Sequence, residues 1–204
     1  MKTIRLVFVL VSLACNSGEI KAQHVIKNSL YYNSILQDAS SSYSIYQNII
    51  YELGYEQFIN DRVSLSLTGH SSLGYSQTYS GYGVTYGPVR GLNYEVKYFF
   101  NPGDGLYNDG GYLASALSWR YIKESVDVPF GAVMNAKIIC IPYNIKIGHR
   151  AVYDSGLFID YFTGLGINLF TKTEKKTYSG SPSVSFAKPS PLPFTIGFTM
   201  GYVF

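Results

Sequence analysis

Leu192-Pro193-Phe194-Thr195-Ile196-Gly197-Phe198-Thr199-Met200-Gly201-Tyr202-Val203-Phe204 closes the sequence and decides how the rest is read. Phe194, Ile196, Phe198, Met200, Tyr202 and Phe204 share one parity; Thr195, Gly197, Thr199 and Gly201 share the other. Successive side chains of a β-strand point to opposite faces, so this is a ribbon with one wholly apolar face and one small, mostly polar face.

Six further segments carry the same alternation. Residues 43–57 set Ile49, Tyr51, Leu53 and Tyr55 against Asn48, Glu52, Gly54 and Glu56. Residues 62–75 set Leu65, Leu67, Leu73 and Tyr75 against Ser66, Thr68, His70 and Ser72. Residues 90–100 set Leu92, Tyr94, Tyr98 and Phe100 against Asn93, Glu95 and Lys97. Residues 111–123 set Leu117, Trp119 and Tyr121 against Ala116, Ser118 and Arg120. Residues 136–148 set Ile139, Ile145 and Ile147 against Cys140, Asn144 and Lys146. Residues 156–170 set Leu157, Tyr161, Leu165 and Leu169 against Asp160, Gly164 and Asn168.

That makes seven strands, and a single-chain barrel of the bacterial outer-membrane type has an even number. Residues 25–37, apolar but poorly alternating, are the expected eighth strand, with a polar turn at 38–42. The fold expected is all-β, an eight-stranded antiparallel up-and-down transmembrane barrel. Short turns at 58–61, 101–110 and 149–155 then face the periplasm. The connections 38–42, 76–88, 124–133 and 171–191 face outside.

Composition agrees with a two-faced sheet. Of 204 residues only 14% are charged, 16% are aromatic, and 20 are Tyr; soluble domains carry about a quarter charged residues. The N-terminus reads as a secretory signal: Lys2 and Arg5, an apolar run from Leu6 to Ala14, and a cut between Ala22 and Gln23. The expected domains are therefore residues 1–22, a signal peptide, and residues 23–204, the barrel. Cys15 opens the alternative of a lipoprotein signal, although Ser12 stands where such signals usually have Leu. Of 16 basic and 13 acidic residues, cleavage removes Lys2, Arg5 and Lys21 on one side and Glu19 on the other, leaving 13 and 12. That balance gives no nucleic-acid signature. Cys140 then stands alone and reads as a small buried apolar residue.

A soluble lipocalin-like barrel would alternate in the same way with its apolar face inward. Three features favour the membrane. The polar face is small, with isolated charges of both signs, as a narrow lumen filled by side chains requires. The apolar face carries aromatics near strand ends: Tyr51, Tyr55, Tyr75, Tyr98, Phe100, Trp119, Tyr121, Tyr202 and Phe204. Such girdles mark the interfaces of a bilayer. Thirdly, the final ribbon with its terminal Phe204 resembles the closing strand of bacterial outer-membrane barrels, and this resemblance implies a signal for the barrel-assembly machinery. Leu53-Gly54-Tyr55-Glu56, Asn60-Asp61-Arg62, Ser64-Leu65-Ser66-Leu67 and Asn93-Tyr94-Glu95-Val96-Lys97-Tyr98-Phe99-Phe100 are similar to hairpins of a family of short exported Gram-negative barrels without assigned activity. That resemblance implies an OmpA-like eight-stranded fold in the outer membrane and carries over no catalytic residue.

The inward polar set comprises Asn48, Glu52, Glu56, Glu95, Lys97, Arg120, Lys146 and Asp160. Unpaired buried charge is costly, so these groups are expected to pair and plug the barrel, with a narrow ion path as the alternative. His70 and Ser72 share a face, and the pair resembles the His-x-Ser of outer-membrane lipid A deacylases, with Glu52 or Glu95 as the acidic partner. Leu73 stands where that family has Asn, and alternation points His70 into the lumen, away from acyl chains. A hydrogen-bonded lumen His70 is therefore the reading kept, ahead of a lipid-modifying enzyme. His24, His70 and His149 share no metal-ligand spacing, and no cofactor is expected. Lys172, Lys175, Lys176 and Lys188 in the last connection could meet lipopolysaccharide phosphates at the outer leaflet. The Tyr/Ser/Gly stretch 76–88 could serve as an adaptable binding surface. The role expected is structural or surface-interactive, for a monomer bedded in outer-membrane lipid and lipopolysaccharide.

Overall fold

The computed structural model describes residues 24–37, 45–73, 75–79, 82–100, 109–128, 132–176, 188–189 and 192–203. Residues 1–22, where a signal peptide is expected, lie outside them with Cys15 and Phe204, as do the side chains of Asn48, Tyr75 and Lys188.

Eleven strands follow in chain order: β1 (His24–Gln37), β2 (Ile45–Phe58), β3 (Val63–Ser72), β4 (Tyr75–Tyr79), β5 (Tyr82–Tyr86), β6 (Arg90–Phe99), β7 (Gly110–Val128), β8 (Ala132–Val152), β9 (Leu157–Lys176), β10 (Lys188–Pro189) and β11 (Phe194–Val203). Every pairing is antiparallel. The ladder runs β7–β6–β3–β2–β1–β11–β9–β8 and returns from β8 to β7. Eight of the described strands therefore form a closed ring, which leaves no open backbone edge along the wall. The ring is closed by β1, which pairs with β11 from Val25↔Val203 to Asn33↔Thr195 and with β2 on its other side.

Burial settles which face looks where. Leu53, Leu67, Leu92, Leu113, Ile145, Ile147, Tyr161, Leu165, Ile196 and Phe198 are exposed on the outside of the wall. Their strand neighbours Glu52, Ser66, Asn93, Ala114, Lys146, Asp160 and Thr195 are buried within it. A soluble binding barrel would show the reverse, so the lipocalin-like alternative fails on this geometry.

The strands differ in length, and this departs from the expectation. A transmembrane strand needs about 9–11 residues. β3, β6 and β11 have 10 each, whereas β7, β8 and β9 have 19, 21 and 20. Much of what reads as outside connection is ladder: residues 124–128, 132–133 and 171–176 are strand, and the β4–β5 pair falls within 76–88 save for Tyr75. β5 then pairs with β7 through Gly83↔Asp127 to Tyr86↔Glu124. The sheet β4–β5–β7–β8–β9 thus rises past one end of the ring. Polar, Gly-rich sequence hid it, because a ladder outside the bilayer needs no apolar alternation.

At the other end the two described reversals, 59–62 and 153–156, are tight. Residues 149–152 belong to β8, not to a turn, and the reversal is Tyr153–Gly156. Gly156 has φ +85° and donates its N–H to the Tyr153 carbonyl at 2.8 Å, while its own carbonyl accepts from Val203 at 2.9 Å. A Cβ there would lie 2.8 Å from the Val203 oxygen, so backbone conformation and space both call for glycine. In the 59–62 turn the Asn60 side-chain oxygen accepts from the N–H groups of Arg62 (2.8 Å) and Val63 (2.9 Å).

One irregularity redirects a strand. The β8–β9 register shifts between Ile141↔Phe170 and Pro142↔Asn168, so Leu169 has no partner. Pro142 has no N–H to give the ladder, which makes this a natural place for a bulge. The extra residue flips the faces of β9 beyond it. Leu169 and Phe170 are both exposed, and Lys172, Glu174 and Lys176 pair with the outward residues Ile139, Lys137 and Asn135.

Candidate functional site

The ring interior is filled by two kinds of side chain. Toward the turn end, Arg150 is fully buried at the centre of an ion-pair network. Its Nη2 donates to both oxygens of Glu56 at 3.0 Å and to Asp160 Oδ2 at 2.9 Å, and its Nε donates to Asp160 Oδ1 at 2.7 Å. Lys97 donates to the same Asp160 and stands 3.5 Å from Glu56 and 3.8 Å from Glu95. Lys146 donates to Glu95. Ser64 adds a 2.7 Å hydrogen bond to Glu56. Cross-strand register builds this cluster: Arg150↔Asp160 and Glu56↔Ser66↔Glu95 are paired positions on neighbouring strands.

Aromatic rings pack against the cations. The Arg150 guanidinium lies 4.4, 5.3 and 5.6 Å from the ring centroids of Phe158, Phe99 and Phe58. Lys97 sits 4.5 Å from the Tyr112 centroid and Lys146 sits 4.7 Å from that of Phe162. Desolvated contacts of this kind are worth about 2 kcal/mol each. Phe58, Phe99, Tyr112 and Phe158 are at most 2% exposed and close the lumen around Arg150.

Of the lumen set named from sequence, Glu56, Glu95, Lys97, Lys146 and Asp160 come together here, and Asn48 lies outside the described side chains. Glu52 and Arg120 are buried at the next level toward the hairpin end, in the register Glu52↔His70↔Gly91↔Arg120↔Cys140. Below them Ser118 donates to Asn93 at 2.8 Å. Val89, Ile122 and Ile138, all at most 1% exposed, close the level above.

Sequence reading missed Arg150, because 149–155 was assigned to a turn. The parity of Asn144, Lys146 and Gly148 runs straight on to Arg150 and was the signal that could have found it. It also missed the inward aromatics, which sit on the polar parity of their strands.

His70 and Ser72 both face inward and are 5% exposed. Neither imidazole nitrogen has a hydrogen-bond partner, and Glu52 stands 3.9 Å from Nδ1. The expected hydrogen-bonded lumen histidine is therefore corrected to one packed by shape: a Cβ at Gly91 would lie only 2.7 Å from Nε2. The Ser72 hydroxyl accepts from the Val89 N–H at 2.9 Å and donates to the Leu73 carbonyl at 3.2 Å. A nucleophile must share its proton with a base, and here the serine is committed to backbone. No group of three potential metal ligands occurs among the described residues.

Outside the wall, Tyr51, Tyr55, Tyr98, Trp119 and Tyr202 are exposed, and Tyr121 is partly so. The row Ser71–Arg90–Tyr121–Ile139–Lys172 runs across β3, β6, β7, β8 and β9. The next pair up puts Lys123 opposite Lys137, with Glu174 beyond. Lys172 bonds Glu174 at 2.8 Å; that hydrogen bond, and the charges of Lys172 and Lys137, hold the Glu174 carboxyl below its ordinary value. Lys175 pairs with inward Ala136, so it leaves the group of lysines expected to act together.

No family model and no curated protein sequence matches the chain. Solved structures do. The attachment invasion locus protein Ail of Yersinia pestis is similar over 91% of this chain and 100% of its own, at 10% identity and a TM-score of 0.59. Its complex with the heparin analogue sucrose octasulfate gives 0.58 at the same identity and coverage. The outer membrane protein AlkL in lipid bilayers is similar over 93% of each chain, at 13% identity and a TM-score of 0.54. The fold, with its apolar face turned out, is that of a Gram-negative outer-membrane β-barrel.

Proposed function

We propose that this outer-membrane barrel does not conduct, and that it acts at the cell surface through the sheet it raises beyond the bilayer. The observation that carries the reading is the length of β7, β8 and β9. They are about twice what a crossing needs, and the surplus lies at one end. The ion-pair network, the aromatic cluster and the Val89/Ile122/Ile138 layer support a lumen filled along its length, as an eight-stranded interior normally is. The short-turn end faces the periplasm, and the hairpin end faces outside. Likeness in fold to Ail, an attachment protein by name, is in keeping with a surface role.

Two measurements test this. Protein reconstituted in planar bilayers is expected to give no stepwise current; reproducible unitary steps would overturn the sealed lumen. A membrane-impermeant amine reagent on intact cells is expected to label Lys137 and Lys172. Labelling that appears only after the outer membrane is breached would overturn the orientation.

A further inference from the structure

Lys123 stands directly opposite Lys137 in the β7–β8 ladder, on the exposed face. Like charges in that position destabilise a sheet. Arg90 and Lys172 lie in the row beneath and Lys176 in the row above, through Ser125↔Asn135↔Lys176. Five exposed cations thus occupy four adjacent strands, and Glu174 is the carboxylate among them; Asp127 comes two residues beyond Ser125. The Leu169 bulge is what brings Lys172 and Lys176 onto this face, since unbroken alternation would turn them away.

The height of the band is informative. Arg90 and Lys172 share a row with Tyr121 and Ile139, and Trp119, Leu117, Ile145, Ile147, Leu165 and Ile167 fill the wall beneath. The cations therefore begin where the apolar belt stops, on the side that touches lipid. An open groove of about 890 Å³, lined among others by Tyr51, Leu53, Gly69, Ser71 and Phe198, reaches the edge of the band at Arg90 alone. A soluble polyanion would need no apolar belt beneath its site. A phosphorylated lipid needs both.

We infer that Arg90, Lys123, Lys137, Lys172 and Lys176 form a phosphate-binding band for the anionic glycolipid of the outer leaflet, with an acyl chain bedded on the apolar wall below. The inference rests on the proposed orientation. Each lysine near an anionic surface adds a small attraction of its own, so the band acts as a unit and single changes are weak.

The test uses full-length protein refolded into phosphatidylcholine vesicles and titrated with diphosphorylated lipid A. Trp119, the sole tryptophan, sits just below the band and reports binding by its emission. The K123Q/K137Q/K172Q/K176Q variant is expected to bind at least about tenfold more weakly, and the matching four-arginine variant is expected to retain affinity. Unchanged affinity in the glutamine variant would overturn the inference. A second arm needs no variant: lipid A stripped of phosphate is expected to lose affinity for the wild-type protein, and equal binding would overturn the inference. Tighter binding of a sulfated polysaccharide than of lipid A would assign the band to a soluble polyanion and overturn it too. These vesicle measurements do not depend on orientation in the cell, so their failure is distinct from a failure of the labelling experiment.

Discussion

The turn end of the barrel and the sheet beyond its hairpin end are built from the same backbone ladder by opposite means. At the turn end the charges point inward, where Arg150, Glu56, Asp160 and Lys97 are at most 2% exposed and paired with one another, although Arg150 Nη1 finds no hydrogen-bond partner. In the raised sheet they point outward: Lys123, Lys137 and Lys172 are exposed, and the Lys172–Glu174 ion pair has both partners more than half exposed. Removing a partner from a buried pair costs several kcal/mol because the other charge is stranded. A surface pair is worth about 0–1 kcal/mol. The first region therefore holds the molecule together, and the second is free to serve a partner.

The largest expected effect belongs to Arg150. Arg150→Met leaves Glu56 and Asp160 with Lys97 as their one shared cation among the described contacts and should cost about 3–5 kcal/mol. Reversible urea unfolding in vesicles, followed by the gel shift between folded and unfolded forms, would measure it. The double variant R150M/E56Q should recover part of that loss; no recovery would break the assignment of these groups to one network. Next comes the outward wall. Leu165→Arg places a charge against lipid and is expected to cost about 2–4 kcal/mol if the site lies at mid-bilayer depth, read by the same unfolding curves. Gly91→Ala is expected to cost about 1–3 kcal/mol by overpacking, because its Cβ would overlap the Trp119 carbonyl and crowd His70. The smallest effect belongs to the raised sheet: Lys137→Ala is expected to change stability by no more than about 0.5 kcal/mol. A loss comparable to that of R150M would erase the contrast between the two regions.

The barrel was legible in sequence wherever both faces of a strand meet different media. Leu53, Leu165 and Phe198 touch lipid while Glu52, Gly164 and Thr199 line the interior, and that difference writes a period of two. The eighth strand needed a counting argument, because residues 25–37 alternate poorly; its ladder with β11 is a matter of backbone, which side-chain pattern does not record. The raised sheet was illegible for the same reason. Beyond Tyr121 and Ile139 the outer face meets polar surroundings, so the lipid pattern stops although the hydrogen bonds continue. Arg150 escaped because Gly148 and the nearby Asp154, Ser155 and Gly156 draw the turn too early. The Leu169 bulge escaped because a one-residue shift leaves no mark beyond Pro142, which lies on a different strand.

The most direct test of the account is which face of the wall touches lipid. Single cysteines placed at Leu53, Leu165 and Phe198, and separately at Ser66, Gly164 and Thr195, in a Cys140→Ser background, would carry a fluorophore in vesicles containing quencher-bearing acyl chains. Strong quenching at the first three and little at the second three is predicted. The reverse pattern would contradict the barrel as described.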